Sequence, residues 1–300
     1  MDSYISALID TLDKRNLPPE VDLILDGGAF NGAYTIGMLL YIGELEKTKR
    51  LRVRRLSGCS MGAIFAVGYA TGFLDTIMNV GRQIANDFKS SQCLESFIGH
   101  VKNWVENHQS DINLESLNDR VYITYHDSEL KKQVTVSHYD SHEHLCEVLI
   151  RSSFLPFAIN GSSRYEGKYF DGFTPSLFHD KQRPSLFVST MVPGYFTSSI
   201  IIKGDNILDL RRVEGIEQID CFFRRQKNTR LCSYVENWSI LRKMIFRLRG
   251  LVAILFYALE SVKTTFCKYV PDLVRNNYIV DCILTMIYDF VRDMITSICY

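Results

Sequence analysis

The sequence predicts an α/β protein, a wound sheet with helices on both faces, followed by a helical C-terminal extension. Three observations carry that expectation. Up to about residue 205, short runs of strand length alternate with helical patterns. Two of the early strand-like runs end in glycine-rich turns that open directly into apolar helices. Beyond residue 205 the pattern is helical and strongly basic. The division is therefore 15–205 for the α/β unit and 206–300 for the extension. A chain of 300 residues, 46% of them hydrophobic, is long enough to bury one large core.

The first unit begins with Val21-Asp22-Leu23-Ile24-Leu25, a short buried strand, which runs into Asp26-Gly27-Gly28-Ala29-Phe30-Asn31-Gly32-Ala33 and then an apolar helix from Tyr34 to Leu45. Glycines at a strand end let backbone N–H groups face a ligand, and the following helix adds the positive end of its dipole, so this loop suits an anion. It fits nucleotide loops poorly. Gly27 and Gly28 are adjacent rather than spaced G-x-G-x-x-G, and no Gly-Lys-Ser/Thr follows.

The second unit is Leu51 to Leu56, alternating apolar and basic as in a half-buried strand, then Gly58-Cys59-Ser60-Met61-Gly62, then the small apolar helix start Ala63-Ile64-Phe65-Ala66-Val67. A serine between glycines at such a strand–turn–helix junction is how a backbone presents an oxygen nucleophile from a strained elbow. A capped glycine-rich turn reads equally well from the pentapeptide alone. Cys59 is a small residue filling the elbow.

Further along, Arg120 to Tyr125 and Lys132 to Val136 are strand-like, and Tyr165 to Gly172 ends in an acid beside a glycine, Asp171-Gly172. A carboxylate held near a serine and partly desolvated can accept its proton, because burial raises its pKa. Asp-Gly is also a common turn.

In this order, Gly27-Gly28-Ala29-Phe30-Asn31-Gly32, Gly58 to Gly62, Arg151-Ser152-Ser153-Phe154-Leu155-Pro156-Phe157 and Asp171-Gly172-Phe173 resemble the patatin-like phospholipases, serine-aspartate dyad lipid hydrolases. The resemblance runs from about Val21 to about Val192. It implies a three-layer fold of that type, with Ser60 as nucleophile and Asp171 as base. Gly27, Gly28, Ala29, Asn31 and Gly32 would form the oxyanion hole, Gly58, Cys59, Met61 and Gly62 the elbow, and Gly172 the motif residue after the base. It implies a lipid acyl hydrolase of phospholipase A or lysophospholipase type, with a phospholipid or other acyl lipid as substrate.

The chain departs from the family pattern at three places. Ala29 replaces the third glycine, Asn31 replaces an arginine or lysine, and Phe173 follows Asp171-Gly172. Alanine is strained where φ must be positive. An asparagine amide donates a hydrogen bond without a full charge, so it stabilises an oxyanion less, and the expectation is a slow or narrowly specific enzyme. An acyltransferase using the same acyl-enzyme and a catalytically weak lipid-binding homologue are the alternatives.

The histidines are His100, His108, His126, His138, His142, His144 and His179. None follows Asp180, so the late histidine of a Ser-His-Asp α/β-hydrolase is missing. His179 reads as a surface helix residue, and His138, His142, His144 and Cys146 as a solvated loop leading into a helix rather than a metal site. Backbone dipoles supply what a metal would, so neither metal nor cofactor is expected.

A net charge of zero argues against nucleic acid as a partner. The N-terminus lacks a basic segment followed by an apolar one, and Cys59, Cys93, Cys146, Cys221, Cys232, Cys267, Cys282 and Cys299 are scattered, so the expectation is a cytoplasmic protein that is not secreted, with free thiols. From Arg224 to Arg249, eight basic residues stand against one acid, Glu236, and Leu251 to Leu259 is apolar but shorter than a membrane span. Such a segment suits peripheral contact with an anionic membrane; packing on the α/β unit with a solvated basic face is the alternative.

Overall fold

Leu23 and Leu25 face the large core, whereas Ile24 between them faces a second, smaller cluster, so β1 (Glu20–Leu25) is buried on both sides. In this computed structural model, residues 1–91, 94–156, 158–180, 182–192, 194–195 and 206–251 are described. β1 is central in a sheet ordered β4-β3-β2-β1-β6-β7, with β2 (Arg52–Cys59), β3 (Val121–Asp127), β4 (Lys132–Val136), β6 (Ser185–Val188) and β7 (Cys232–Tyr234). The four inner strands β3, β2, β1 and β6 run parallel, and β4 and β7 close the two ends antiparallel. A further short strand, β5 (Tyr169–Asp171), pairs antiparallel with β3.

One face of the sheet carries α1 (Asp2–Asp10), α2 (Gly32–Lys47), α3 (Met61–Thr71), α4 (Leu74–Ser91), α5 (Ser96–His108), a short turn α6 (Leu114–Leu117), α7 (His142–Ser153) and α8 (Asn206–Arg225), whose apolar sides merge into one core. The helix α3 is buried almost all round, which its run of small and apolar residues predicts. The other face is covered more thinly: Leu177, Phe178, Trp238 and Phe246 pack on Ile24 and Phe187, and Phe246 belongs to a helix, α9, described over 240–251. The expected helices on both faces are thus present, in unequal number.

The extension differs from its expectation. Residues after 205 are not helical throughout: β7 joins the sheet against β6, and α8 packs on α2, with the Tyr41 hydroxyl donating to Asp220 at 2.8 Å. The basic run is not one solvated face either. Arg224 pairs with Asp220 and donates to the carbonyls of Leu8 and Thr11, Arg242 lies over Trp238, and Arg249 is drawn into the protein. Helical spacing is the reason, because Arg242, Phe246 and Arg249 fall on one face of α9 and that face is the inner one. No helix among the described residues is long and apolar enough to cross a membrane. Of the apolar run Leu251 to Leu259, all but Leu251 lies outside the described residues, as do Cys93, Cys267, Cys282 and Cys299.

Candidate active site

The register of β3 brings Ser60 and Asp171 together. On one edge of β3, Leu56 to Cys59 of β2 pair with Val121 to Thr124; there β2 ends, and from Tyr125 onward the same edge is taken by β5, with Asp171 opposite Tyr125. The two strands meet head-on. Ser60 leaves the sheet where β5 arrives, so the two side chains share one spot although 111 positions separate them in sequence. The chain after Asp171 must slip past both the end of β2 and the β3 backbone. A Cβ on Gly172 would lie 2.3 Å from the Thr124 carbonyl oxygen and 2.9 Å from Cys59 Cβ, and only glycine leaves room.

Ser60 has φ 53° and ψ −135°, the strained left-handed conformation expected of an elbow. Close approach of the elbow to its neighbours demands its glycines: a Cβ on Gly58 would meet the Gly62 carbonyl oxygen at 2.4 Å, and one on Gly62 the Leu25 carbonyl oxygen at 2.4 Å. Ser152, at the end of α7, ties the elbow down. The Ser60 N–H donates to Ser152 O and Oγ, both at 3.0 Å, Ser152 Oγ donates to Thr124 O at 2.7 Å, and Gly172 N–H donates to Ser152 O. Ser152 thereby joins nucleophile turn, β3 and the acid's turn.

Asp171 is buried. Its Oδ1 accepts the Phe173 N–H at 2.7 Å, while Oδ2 is buried without a hydrogen bond of ordinary geometry, with the Ser60 hydroxyl near enough to favour the ionised form. Burial pushes the Asp171 carboxyl up to about 6; the Ser60 hydroxyl, the Phe173 N–H and the charge of Arg249 oppose that rise, and Asp26 adds to it. The backbone oxygen of Asp171 is 3.0 Å from Nδ1 of His126, whose ring stacks on Phe170 and whose pKa burial lowers.

The glycine loop passes beside the serine: a Cβ on Gly27 would lie 3.2 Å from Ser60 Cβ. The Gly27 N–H is already given to Asp26 Oδ1 at 2.9 Å, so as an anion donor Gly27 is spoken for, and the N–H groups of Gly28 and Ala29 are the loop's donors to consider. Asn31 is buried and its Nδ2 donates to Tyr195 O at 2.8 Å, a bond that braces the loop. Gly32 starts α2 beside Phe65.

In front of Ser60 and Ala29 opens a cavity of about 130 Å³ with apolar walls that include Ile36, Phe65, Ile77, Ile84 and Ile159. Met61 lies on its wall, and Arg82, Lys89 and Arg211 add cations. Arg211 donates to Phe30 O at 3.1 Å and so sits at the loop itself.

A family model described as Patatin-like phospholipase matches residues 23–174, just over half of the chain and ending three residues past Asp171. The chain belongs to that family. It is accordingly a serine hydrolase acting on lipid esters. No match was found among curated proteins. As a patatin-like phospholipase it carries two of its three departures at strained positions: Ala29 has φ 39° and Phe173 φ 52°, left-handed values that a side chain resists.

The remaining candidates fall elsewhere. His179 is exposed in a loop rather than on a helix. His142 lies in the first turn of α7, with Nε2 2.9 Å from Ile112 O, His144 N–H is capped by Ser141, and Cys146 is buried in the core. No three His, Cys, Asp or Glu side chains among the described residues gather into a metal site. Sequence reasoning missed three contributors: Ser152 as a tie, Asp26 as a buried anion behind the loop, and Arg249. The Ser-Ser pair was the available signal for the first; Arg249 had none, because nothing in its local sequence sets it apart from Arg242 and Arg247.

Proposed function

We propose that this patatin-like phospholipase cleaves carboxylic esters of lipids, in the manner of a phospholipase A or lysophospholipase, through an acyl-enzyme on Ser60 with Asp171 as general base. The observation that carries the reading is the buried Asp171 carboxyl, with no hydrogen bond on Oδ2 and its ionised form favoured by the Ser60 hydroxyl, next to a serine that lines an apolar cavity. Asp171, ionised above pH about 6, takes the Ser60 proton as Oγ attacks the ester carbonyl. The Gly28 and Ala29 N–H groups receive the oxyanion, with the N-terminus of α2 behind them. Collapse breaks the C–O bond, and the departing alcohol takes the proton from Asp171. Water then gives a proton to Asp171 and its oxygen to the acyl carbon. The fatty acid leaves, and the proton returns to Ser60.

The cavity's apolar wall suits the acyl chain, and the cationic side chains Arg82, Lys89 and Arg211 suit an anionic head group. The catalytic unit in this reading is 15–205 completed by α8 and β7. Free Cys59, Cys146, Cys221 and Cys232 are consistent with work in the cytoplasm. Contact with anionic membrane is supported by the outer face of α9, where Ile240, Leu241, Met244, Ile245 and Leu248 are exposed in a helical stripe flanked by Lys243 and Arg247. Sedimentation with anionic vesicles should weaken with salt and on Ile245→Asp; salt-independent or absent binding removes the membrane from the reading.

The decisive test is labelling by a fluorophosphonate and turnover of an acyl ester. Wild-type protein should react and turn over, while folded Ser60→Ala and Asp171→Asn should lose at least about a thousandfold in rate. Undiminished turnover in either variant rejects the assignment.

A further inference from the structure

Asp26 ends the run of β1 into the glycine loop, and its carboxylate is fully buried. It accepts three partners: the Gly27 N–H at 2.9 Å, Ser189 Oγ at 2.6 Å, and the guanidinium of Arg249 on both oxygens, at 2.7 and 2.8 Å. Arg249 Nη2 donates also to the carbonyl oxygen of Phe173 at 2.9 Å, and Phe173 in turn gives its N–H to Asp171. One guanidinium therefore holds the residue that precedes the glycine loop and the residue that follows the acid's turn.

The arrangement has a physical logic. A buried carboxylate without a partner is costly, and a planar fork matches two carboxylate oxygens as an ammonium cannot. Burial works against the Arg249 charge, and its attraction to Asp26 more than offsets this, so it stays a cation inside the protein. The two turns it bridges both contain strained residues, Ala29 and Phe173, which persist only if their surroundings over-determine them. The glycine loop carries the neutral Asn31, and its amide is turned to Tyr195. The groups that face Asp171 are Ser60 and Cys59 from the elbow, His126 from β3, Asp26 from the end of β1, and Arg249 from α9. Among these Arg249 is the permanent positive charge.

We propose that Arg249 is a positioning residue of the ester-cleaving site: it clamps the glycine loop to the Asp171 turn and brings to the site a partly buried positive charge from outside the region 23–174. The proposal rests on the reading of Ser60 and Asp171 as the reacting pair. It makes α9 a part of the enzyme's working site rather than an appendage, because Phe246 on the same inner face anchors that helix against Ile24, Phe187 and Trp238.

The test uses the full chain, a water-soluble short-chain acyl ester and a fluorophosphonate probe. Arg249→Gln should lower kcat about tenfold to a hundredfold with little change in KM, since it loosens geometry rather than substrate binding. Its acid limb in kcat/KM should move to higher pH, because the loss of a nearby cation disfavours the Asp171 carboxylate. Arg249→Lys should return the limb towards its wild-type position while kcat stays intermediate, because one ammonium cannot span Asp26 and Phe173. A folded Arg249→Gln with wild-type kcat and limb overturns the proposal, as does Arg249→Lys matching Arg249→Gln in both. If Arg249→Gln does not fold, Asp26→Asn/Arg249→Gln leaves no buried unpaired charge, and wild-type kcat in that folded pair also overturns it. Wild-type protein that fails to label at Ser60 would instead sink the reading of the reacting pair, a result separable from any effect at Arg249.

Discussion

Cys59 and Asp171 occupy consecutive places along one edge of β3, Cys59 opposite Thr124 and Asp171 opposite Tyr125, although they arrive on different strands running in opposite directions. The nucleophile's turn and the acid's turn are thus two strand ends abutting on a common neighbour. Their separation is set by backbone register, which one β3 residue defines to within a few ångströms.

That abutment makes Gly172 intolerant of any side chain. Gly172→Ala places a methyl 2.3 Å from the Thr124 carbonyl oxygen, and the neighbour is backbone that cannot turn aside. The expected cost is about 3 kcal/mol or more of stability, with most of the activity lost. Chemical denaturation of the variant checks it; a midpoint like that of wild type would mean the strands do not meet as described.

Asp171 should cost the enzyme stability at neutral pH. Its carboxyl is raised from 3.8 to about 6 by burial, so the folded protein holds this proton more tightly than the unfolded chain does. The associated stabilisation is complete below pH about 3.8 and is lost as pH rises through about 6. At pH 7.5 the ionised group therefore weakens the fold by about 3 kcal/mol, at roughly 1.4 kcal/mol per unit. Asp171→Asn should melt higher than wild type at pH 7.5, and the gain should shrink by pH 4.5. A variant that melts lower at pH 7.5 contradicts this.

The same titration sets the pH profile of catalysis. Only the carboxylate can accept the Ser60 proton, so kcat/KM should fall tenfold per unit below pH about 6 and level off above it. Rate measurements on a soluble ester between pH 4.5 and 8 decide it, and a limb centred near 4 would show that burial does not govern Asp171.

Ser152 should matter beyond its modest size. Its hydroxyl accepts from the Ser60 N–H and donates to Thr124 O, so Ser152→Ala removes a buried bond from each, and the Ser60 N–H keeps only its bond to Ser152 O. A loss of about 1–3 kcal/mol in stability is expected, with a fall in kcat that exceeds any change in KM. Calorimetry with steady-state kinetics tests both; Ser152→Thr, which keeps the hydroxyl, should lose less.

The cavity should select acyl chains by their length. Ile84 lies on its wall, and Ile84→Trp takes up part of its space. Turnover of long-chain esters should drop about tenfold relative to short-chain ones. An unchanged chain-length profile would place the acyl chain elsewhere.

The sequence by itself determined the α/β class, the two strand–glycine–helix units at Val21 to Leu45 and Leu51 to Val67, and the identities of Ser60 and Asp171 as candidates. These are local signals: apolar periodicity, glycine where backbones crowd, an acid at a strand end. Tertiary structure decided what depends on partners distant in the chain. It turned the Asn31 amide to Tyr195, gave Ala29 and Phe173 positive φ, added β7 to the sheet, and drew Arg249 onto Asp26 across 223 positions. A side chain's neighbours across the sheet leave no mark on its own periodicity, and Arg249 reads in sequence like any surface arginine until the inner face of α9 is known.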